Sequence, residues 1–300
     1  MKYPPKKTGV KDAVRWFLWT VLVSFTLHSS PVLSGEKSSA LIRLEGLAEL
    51  QNAYAEKLRV IEMSDPEALK EAGWVVDYEG LPGMLPPAKD LSQAASKIGL
   101  IRDDVIVIVP AKKDIWGYAS AMRLFWTLRM MGHEKLFFLE GEIPEGLAQH
   151  SKPDGKYSIE KLPGRWVTNM GGVYAGDDYQ TPPLDIRDKD RSEGYTTHPL
   201  VHDPGTIYDA LNIPPIAFFE NGRLKSKAQL EELMGDVIGK PPGPVVVFSD
   251  TGLRAAIAWF AIHEIMGLKD VRIYDGGYID WDAQGGETYD ERNDMGDALG

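Results

Sequence analysis

Two short, continuous apolar runs constrain the fold of this chain more than any other feature. They are Val105–Val109 and Pro244–Phe248, and each is followed by a helix-length apolar segment that ends at a glycine, Gly132 or Gly267. Such runs are typical of parallel strands that are covered by helices on both faces. The alternation of strand and helix predicts an α/β fold with mainly parallel sheets.

The same patterns assign further elements in two halves of similar order. In the first half we expect a helix at 41–58, strands at 59–63, 105–109 and 135–139, a loop at 81–87, and helices at 91–98 and 120–131. In the second half we expect a strand end at 184–187, a loop at 210–214, helices at 227–234 and 253–266, and strands at 244–248 and 271–274. Residues 123–143 and 258–281 are similar in local sequence, which indicates a weak internal duplication.

These elements predict two similar α/β domains, each a mainly parallel sheet flanked by helices. The first domain spans 41–145 and the second 180–282. Residues 146–179 are rich in glycine, proline and polar residues and are assigned as a linker, and residues 283–300 as an acidic tail.

The first 35 residues have the pattern of an export signal. Basic residues precede an apolar run, Trp16–Leu27, and Val32 and Ser34 have the spacing that signal peptidase accepts. The run is about a dozen residues, shorter than the roughly 20 that span a bilayer. We therefore expect residues 1–35 to be a cleaved signal and the protein to be exported, periplasmic or extracellular. The alternative is an uncleaved N-terminal anchor, the one case in which a membrane would be a partner.

Composition excludes several classes of function. The net charge is −11, which disfavours nucleic acid as a partner. The chain of 300 residues contains no cysteine, so disulfides, thiolate metal sites and iron–sulfur clusters are excluded. Metal, phosphate-loop and dinucleotide motifs are not found in the sequence, and we expect neither a metal nor a cofactor.

The loop after the second apolar run, Ser249–Arg254, is the candidate site. A serine nucleophile there would need a general base within hydrogen-bond reach. His263 lies about 14 residues along the predicted helix, roughly 20 Å away, whereas His198 and His202 fall in a loop whose position the sequence leaves open. The alternative interpretation is structural, because Ser, Asp and Thr are all good N-cap residues.

Several segments resemble the tandem rhodanese family, which includes thiosulfate and 3-mercaptopyruvate sulfurtransferases. The resemblance covers about residues 41–282. Residues 245–255 are similar to the family's apolar strand, its six-residue Cys-x-x-Gly-x-x loop and the following helix. The remaining matches are to the closing YDGSWxEW signature at 271–281, to DxR…RFxG at 184–187 and 191–194, and to AINIP at 210–214.

The resemblance implies a role for each half. The first domain would be non-catalytic, and the second would carry the nucleophilic cysteine at the position of Ser249, so that the loop 249–254 is degenerate. The family's thiolate takes up sulfur as a persulfide and works beside backbone N–H groups at the helix start. A serine hydroxyl is essentially un-ionised at neutral pH and cannot replace it.

The resemblance also implies which residues surround a substrate anion. They are Arg191, Asp250, Thr251, Gly252, Leu253 and Arg254. Asp250 would oppose an anion by like-charge repulsion, while Arg191, Arg254 and the loop amides would attract it. Asp185 and Arg187 are expected to form a structural ion pair at the sheet end.

Two functions follow from these expectations. One is an exported rhodanese-like protein that lacks sulfurtransferase activity and acts as an anion-binding or protein-interaction module, with a small sulfur-containing or other anion, or a protein, as its partner. The other is a thiosulfate or 3-mercaptopyruvate sulfurtransferase whose catalytic cysteine has been changed to Ser249 in this chain.

Overall fold

The computed structural model describes residues 39–144, 155–174, 181–235 and 243–292. The expected signal at 1–35 lies outside these ranges, as do parts of the expected linker and the end of the expected tail. Within the described ranges, no helix combines the length and the apolar character needed to cross a membrane. The described residues belong to one compact unit that begins at Ser39.

The first half contains a four-stranded parallel sheet in the order β1-β6-β5-β2. Its strands and those of the small antiparallel hairpin β3–β4 are β1 (Leu41–Ile42), β2 (Leu58–Met63), β3 (Val76–Tyr78), β4 (Leu81–Met84), β5 (Val105–Pro110) and β6 (Leu136–Leu139). The helices are α1 (Leu44–Tyr54), α2 (Pro66–Glu71), α3 (Ala88–Lys97) and α4 (Ile115–Met130). Every residue of β5 is buried, as its unbroken apolar run predicts.

The second half contains a five-stranded parallel sheet in the order β10-β8-β13-β14-β7. Its strands and those of two antiparallel pairs, β11–β12 and β9–β15, are β7 (Val167–Thr168), β8 (Leu184–Asp185), β9 (Thr206–Ile207), β10 (Leu211–Asn212), β11 (Phe219–Glu220), β12 (Arg223–Leu224), β13 (Val245–Phe248), β14 (Val271–Tyr274) and β15 (Thr288–Tyr289). The helices are α5 (Met170–Tyr174), α6 (Lys189–Ser192), α7 (Lys227–Met234), α8 (Gly252–Trp259) and α9 (Gly277–Ala283).

The two sheets repeat one topology. Read from its first strand, the first sheet runs β1-β6-β5-β2 and the second runs β7-β14-β13-β8, with β10 added at its edge. The loop that joins β5 to α4 therefore corresponds to the loop that joins β13 to α8. The α/β fold with mainly parallel sheets flanked by helices is confirmed.

Helix α8 continues as a π-helical stretch, Phe260–Met266, and ends at Gly267 in the left-handed region with φ 92°. Glycine adopts this conformation without steric cost. The predicted end of the helix at this glycine is therefore correct, although the last two turns are wider than an α-helix.

Several short elements differ from the expectations. The segment 41–58 begins with β1 rather than with a helix, the expected loops at 81–87 and 210–214 contain β4 and β10, and the expected tail contributes β15. The expected linker supplies β7, so the second sheet begins before residue 180. Each of these strands has two to four residues and is held by backbone pairing, which leaves little side-chain periodicity to detect.

A shared hydrophobic core joins the two halves. Helix α4 packs against α8, and Phe125 of α4 meets Phe260 edge-to-face with ring centroids 4.9 Å apart. Phe260 also lies 5.1 Å from the ring of Phe138 on β6. The carboxyl ends of β5 and β13, where α4 and α8 begin, are therefore held in one rigid frame.

Candidate functional site

Residues 249–254 connect β13 to α8 at the carboxyl edge of the second sheet. Strand β13 is buried along its length, and α8 begins at Gly252 with Thr251 as its N-cap. The Thr251 hydroxyl accepts a hydrogen bond from the Leu253 N–H at 3.2 Å. Thr251 thus has the capping role that the structural interpretation of this loop requires.

The Ser249 hydroxyl points into its own loop. Only 1% of the residue is exposed. Its oxygen donates to the carbonyl oxygen of Thr251 and accepts from the Ala255 N–H at 3.3 Å. Within the described part of the chain, Ser249 has no hydrogen bond to a histidine, and His263 contacts Glu264 instead, at 3.1 Å. The geometry therefore lacks the base that a serine nucleophile needs.

Asp250 forms ion pairs with both of the arginines that were expected to bind an anion. Its Oδ2 lies 2.7 Å from Nη2 of Arg254 and 2.8 Å from Nη1 of Arg191. Arg254 also places Nη1 2.7 Å from Oδ2 of Asp188. Arg191 and Arg254 are brought together as the sequence suggested, but a carboxylate of the protein already occupies the space between them.

Three amides of the loop and the start of α8 are also engaged. The Gly252 N–H donates to the Asp275 carbonyl oxygen at 2.8 Å, and the N–H groups of Leu253 and Ala255 donate to the hydroxyls of Thr251 and Ser249. The expected anion cradle of two arginines and free loop amides therefore differs from the observed arrangement, in which internal acceptors use these donors.

Asp185 and Arg187 form a buried, bidentate ion pair at the end of β8. Nη2 of Arg187 lies 2.6 Å from Oδ2 of Asp185, and Nε lies 2.9 Å from Oδ1. The Thr206 hydroxyl donates to the same carboxylate at 2.8 Å, and the guanidinium lies 4.0 Å from the ring centroid of Tyr278. Their polar atoms are directed at each other and at β9, which fits a structural role.

A cavity of about 290 Å³ lies between the loop and the first half. The first half contributes α2, the β3–β4 hairpin and Trp116, and the second half contributes His198 and the residues Ser249, Asp250, Thr251, Leu253 and Arg254. Its wall is mostly apolar, with charged side chains from both halves. The site is therefore shared between the halves.

Trp116 is a lining residue that the sequence analysis did not single out. It is 49% exposed, and the Arg254 guanidinium lies 5.3 Å from its ring centroid. A usable signal was its position directly after the loop that follows β5, because the carboxyl ends of parallel strands are where α/β proteins bind ligands.

His198 faces the cavity as a neutral imidazole. Burial lowers its pKa, with Arg191 and Arg254 acting in the same direction and Asp250 opposing them. Because the shift is downward from an ordinary value near 6.5, His198 is uncharged at pH 7. Within the described ranges, no group of three or more His, Asp and Glu side chains is placed to hold a metal ion.

Comparison with known proteins identifies this architecture. The rhodanese-like domain family matches residues 175–284. A thiosulfate sulfurtransferase from Corynebacterium glutamicum is 24% identical over 256 residues, which cover 75% of this chain and 82% of the relative. A 3-mercaptopyruvate sulfurtransferase from Escherichia coli is 25% identical over 219 residues, which cover 68% of this chain and 74% of the relative. Residues 175–284 therefore form a rhodanese-like domain, and the chain resembles rhodanese-type sulfurtransferases along most of its length.

Solved structures share the fold across both halves. Tum1 from Saccharomyces cerevisiae aligns with a TM-score of 0.65 at 20% identity. The alignment covers 84% of this chain and 98% of the Tum1 chain. SseA from Escherichia coli, a 3-mercaptopyruvate sulfotransferase with the rhodanese fold, aligns with a TM-score of 0.63 at 21% identity. The alignment covers 80% of this chain and 99% of the SseA chain. The family resemblance expected from the sequence is confirmed over most of the chain.

Proposed function

We propose that this rhodanese-like chain has no sulfurtransferase activity and binds a small molecule in the cavity between its halves. The observation that carries the proposal is Ser249, whose hydroxyl is buried and hydrogen-bonded within its own loop in a chain without cysteine. Persulfide chemistry needs a thiolate, and we propose that Ser249 stands where relatives carry that cysteine. The cavity and its rigid frame would then serve binding alone.

Small-molecule binding is supported by the cavity and by relatives. The wall combines apolar side chains with a half-exposed tryptophan, a lining that is typical of ligand pockets. Relatives are named for thiosulfate and 3-mercaptopyruvate. An ergothioneine biosynthesis enzyme from Chlorobium limicola, with a TM-score of 0.68 at 14% identity over 84% of this chain and 70% of its own, has been solved with trimethyl histidine.

A sulfur-transfer assay tests the absence of activity. The unmodified chain is incubated with cyanide and either thiosulfate or 3-mercaptopyruvate, and thiocyanate is measured against a Ser249→Ala control. We expect both proteins to give the same background rate. A rate above that of the alanine variant would contradict the proposal.

The second candidate function is an active sulfurtransferase whose cysteine has been replaced in this chain. It is supported by the intact two-sheet frame and by the preserved loop position between β13 and α8. The Ser249→Cys variant decides between the two. Turnover at the rate of a typical enzyme, about 1–1,000 per second, would favour the second candidate, and background turnover would favour a remodelled site.

Export is part of the proposal and rests on residues 1–35 alone. The basic segment, the apolar run and the small-residue positions support a cleaved signal. Expression of the full chain in a bacterium, followed by fractionation and N-terminal sequencing, provides the test. A mature N-terminus near residue 35 in the exported fraction is expected, and retention of Met1 or its neighbours in the membrane fraction would instead support the anchor.

A further inference from the structure

The Arg191–Asp250–Arg254 cluster raises the question of which ligands the cavity accepts. Arginine pairs beside a helix N-terminus are well suited to hold carboxylates and oxyanions. In this chain Oδ2 of Asp250 receives both guanidinium groups, at 2.8 and 2.7 Å. The side chain of Asp250 therefore stands where the acidic group of a ligand would make the same contacts.

We propose that Asp250 is a resident counter-ion that sets the specificity of the cavity: it excludes small oxyanions, thiosulfate among them, and leaves a pocket for apolar ligands without an acidic group. The inference rests on the proposed binding function and names its ligand class. It differs from a plain loss of catalysis, because a cavity can lose its nucleophile and still bind the original anion.

The position of Asp250 makes this exclusion effective. The residue is buried, and its second oxygen, Oδ1, has no hydrogen-bond partner among the described residues. An incoming anion would meet this carboxylate oxygen, which no donor of the described residues contacts. Like charges brought together away from bulk water repel strongly.

Among the described residues, the other charges of the cavity leave no cation in excess. Lys70 lies 2.7 Å from Asp77, and the carboxylate of Glu67 acts on it as well. Arg254 lies 2.7 Å from both Asp188 and Asp250. Each cation that lines the cavity therefore faces two carboxylates, and an anionic ligand would have to displace one of them.

The rest of the wall suits an apolar body. Leu69, Val75 and Leu253 line the cavity beside the half-exposed ring of Trp116. Leu69 and Val75 are themselves buried, so the apolar surface that an aromatic or aliphatic ligand could remove from water comes from Trp116 and Leu253. His198 adds a neutral polar group at the same wall.

Oxyanion binding to Asp250→Asn tests the counter-ion directly. Isothermal titration with sodium thiosulfate and sodium sulfate, at fixed ionic strength, is carried out on the unmodified chain and on this near-isosteric variant. We expect the variant to bind about tenfold more tightly or better, because neutralising Asp250 frees two arginines. Adding Arg191→Gln to the variant should abolish the gain.

Asp188→Asn is the matched control. It removes the same charge from the same arginine, but the Asp188 side chain is 64% exposed and lies on the outer side. We expect little gain in oxyanion affinity from it. An equal gain in both variants, or tight thiosulfate binding by the unmodified chain, would overturn the proposal. The measurement on the unmodified chain does not depend on whether either variant folds.

A pair of matched probes tests the ligand class. Benzyl alcohol and benzoate share a ring and differ in charge, and their binding is followed by tryptophan fluorescence against a Trp116→Phe control. We expect the unmodified chain to prefer benzyl alcohol and Asp250→Asn to lose that preference. A preference for benzoate would refute the inference and leave the binding function intact. No binding of either probe, with a thiosulfate gain in Asp250→Asn, would refute the binding function and the ligand class, and would leave the exclusion of oxyanions by Asp250 supported.

Discussion

Arg123 of α4 and Asp275 at the end of β14 form a buried ion pair across the boundary between the two halves, with Nη2 2.5 Å from Oδ1. Asp275 also accepts a hydrogen bond from the Leu85 N–H at 2.7 Å, and Arg123 donates to the Gly83 carbonyl oxygen at 3.2 Å. Both side chains therefore connect the β3–β4 hairpin region of the first half to the second sheet. The cavity lies beside this connection, and its shape depends on it.

Loss of Arg123 alone should destabilise the protein severely. Arg123→Met leaves the buried Asp275 carboxylate without its counter-charge, and we expect the free energy of unfolding to fall by about 3–5 kcal/mol. Adding Asp275→Asn removes the stranded charge and should recover a large part of that loss. Urea unfolding of the wild type, both single variants and the double variant measures the coupling. Additive effects of the two changes would show that the pair does not act as a unit.

Gly252 lies against the same ion pair and has no room for a side chain. A Cβ at this position would meet the Arg123 guanidinium and would lie 2.6 Å from Oδ1 of Asp275. We expect Gly252→Ala to lower the free energy of unfolding by about 1–3 kcal/mol through overpacking. Gly164→Ala is the matched control, because nothing lies within 4 Å of a Cβ there. Equal unfolding midpoints for the two variants would contradict this prediction.

The parts of the fold that were predictable are those with a strong side-chain signal. β5 and β13 are unbroken apolar runs, and α4 and α8 follow them with long apolar segments, so the central layers could be assigned. Residues 210–214 were assigned as a loop that ends at Pro214, and the two-residue strand β10 lies within it. Its place at the sheet edge comes from backbone pairing with β8, which leaves no pattern in the sequence.

The site was predictable in position but not in its electrostatics. The carboxyl end of a central parallel strand locates the loop that begins at Ser249. Sequence reasoning treated Asp250 as a group that repels anions and Arg191 as one that attracts them. Only the folded chain brings the two to 2.8 Å, so that each satisfies the other. Trp116 was missed for a related reason, since its exposure depends on where the second half packs.

We expect His133 to lower the free energy of unfolding as the pH falls from 7 to 5. Burial lowers its pKa, while the imidazole Nε2 lies 2.9 Å from the Asp104 carbonyl oxygen and Nδ1 lies 3.0 Å from the Tyr157 hydroxyl. An unfolded histidine takes up a proton near pH 6.5, before the folded one does, so the free energy of unfolding decreases as the pH falls through and below that value. His133→Gln should reduce this slope between pH 7 and pH 5 in urea titrations. The control is His202→Gln, whose side chain is 88% exposed, and an unchanged slope in His133→Gln would contradict the assignment.

A cysteine placed at 249 should be a poor thiolate until Asp250 is neutralised. The side chain is buried beside the Thr251 carbonyl oxygen, and a carboxylate one residue away raises the pKa of a thiol. Because the chain has no other cysteine, iodoacetamide reacts with this thiol alone in Ser249→Cys. We expect the double variant Ser249→Cys/Asp250→Asn to be alkylated about tenfold faster at pH 7, as a pKa lower by about one unit would give. Mass spectrometry across a pH series measures both rates, with Ser249→Cys/Asp188→Asn as the control of equal charge. Indistinguishable rates in the three proteins would show that Asp250 does not govern the chemistry at this position.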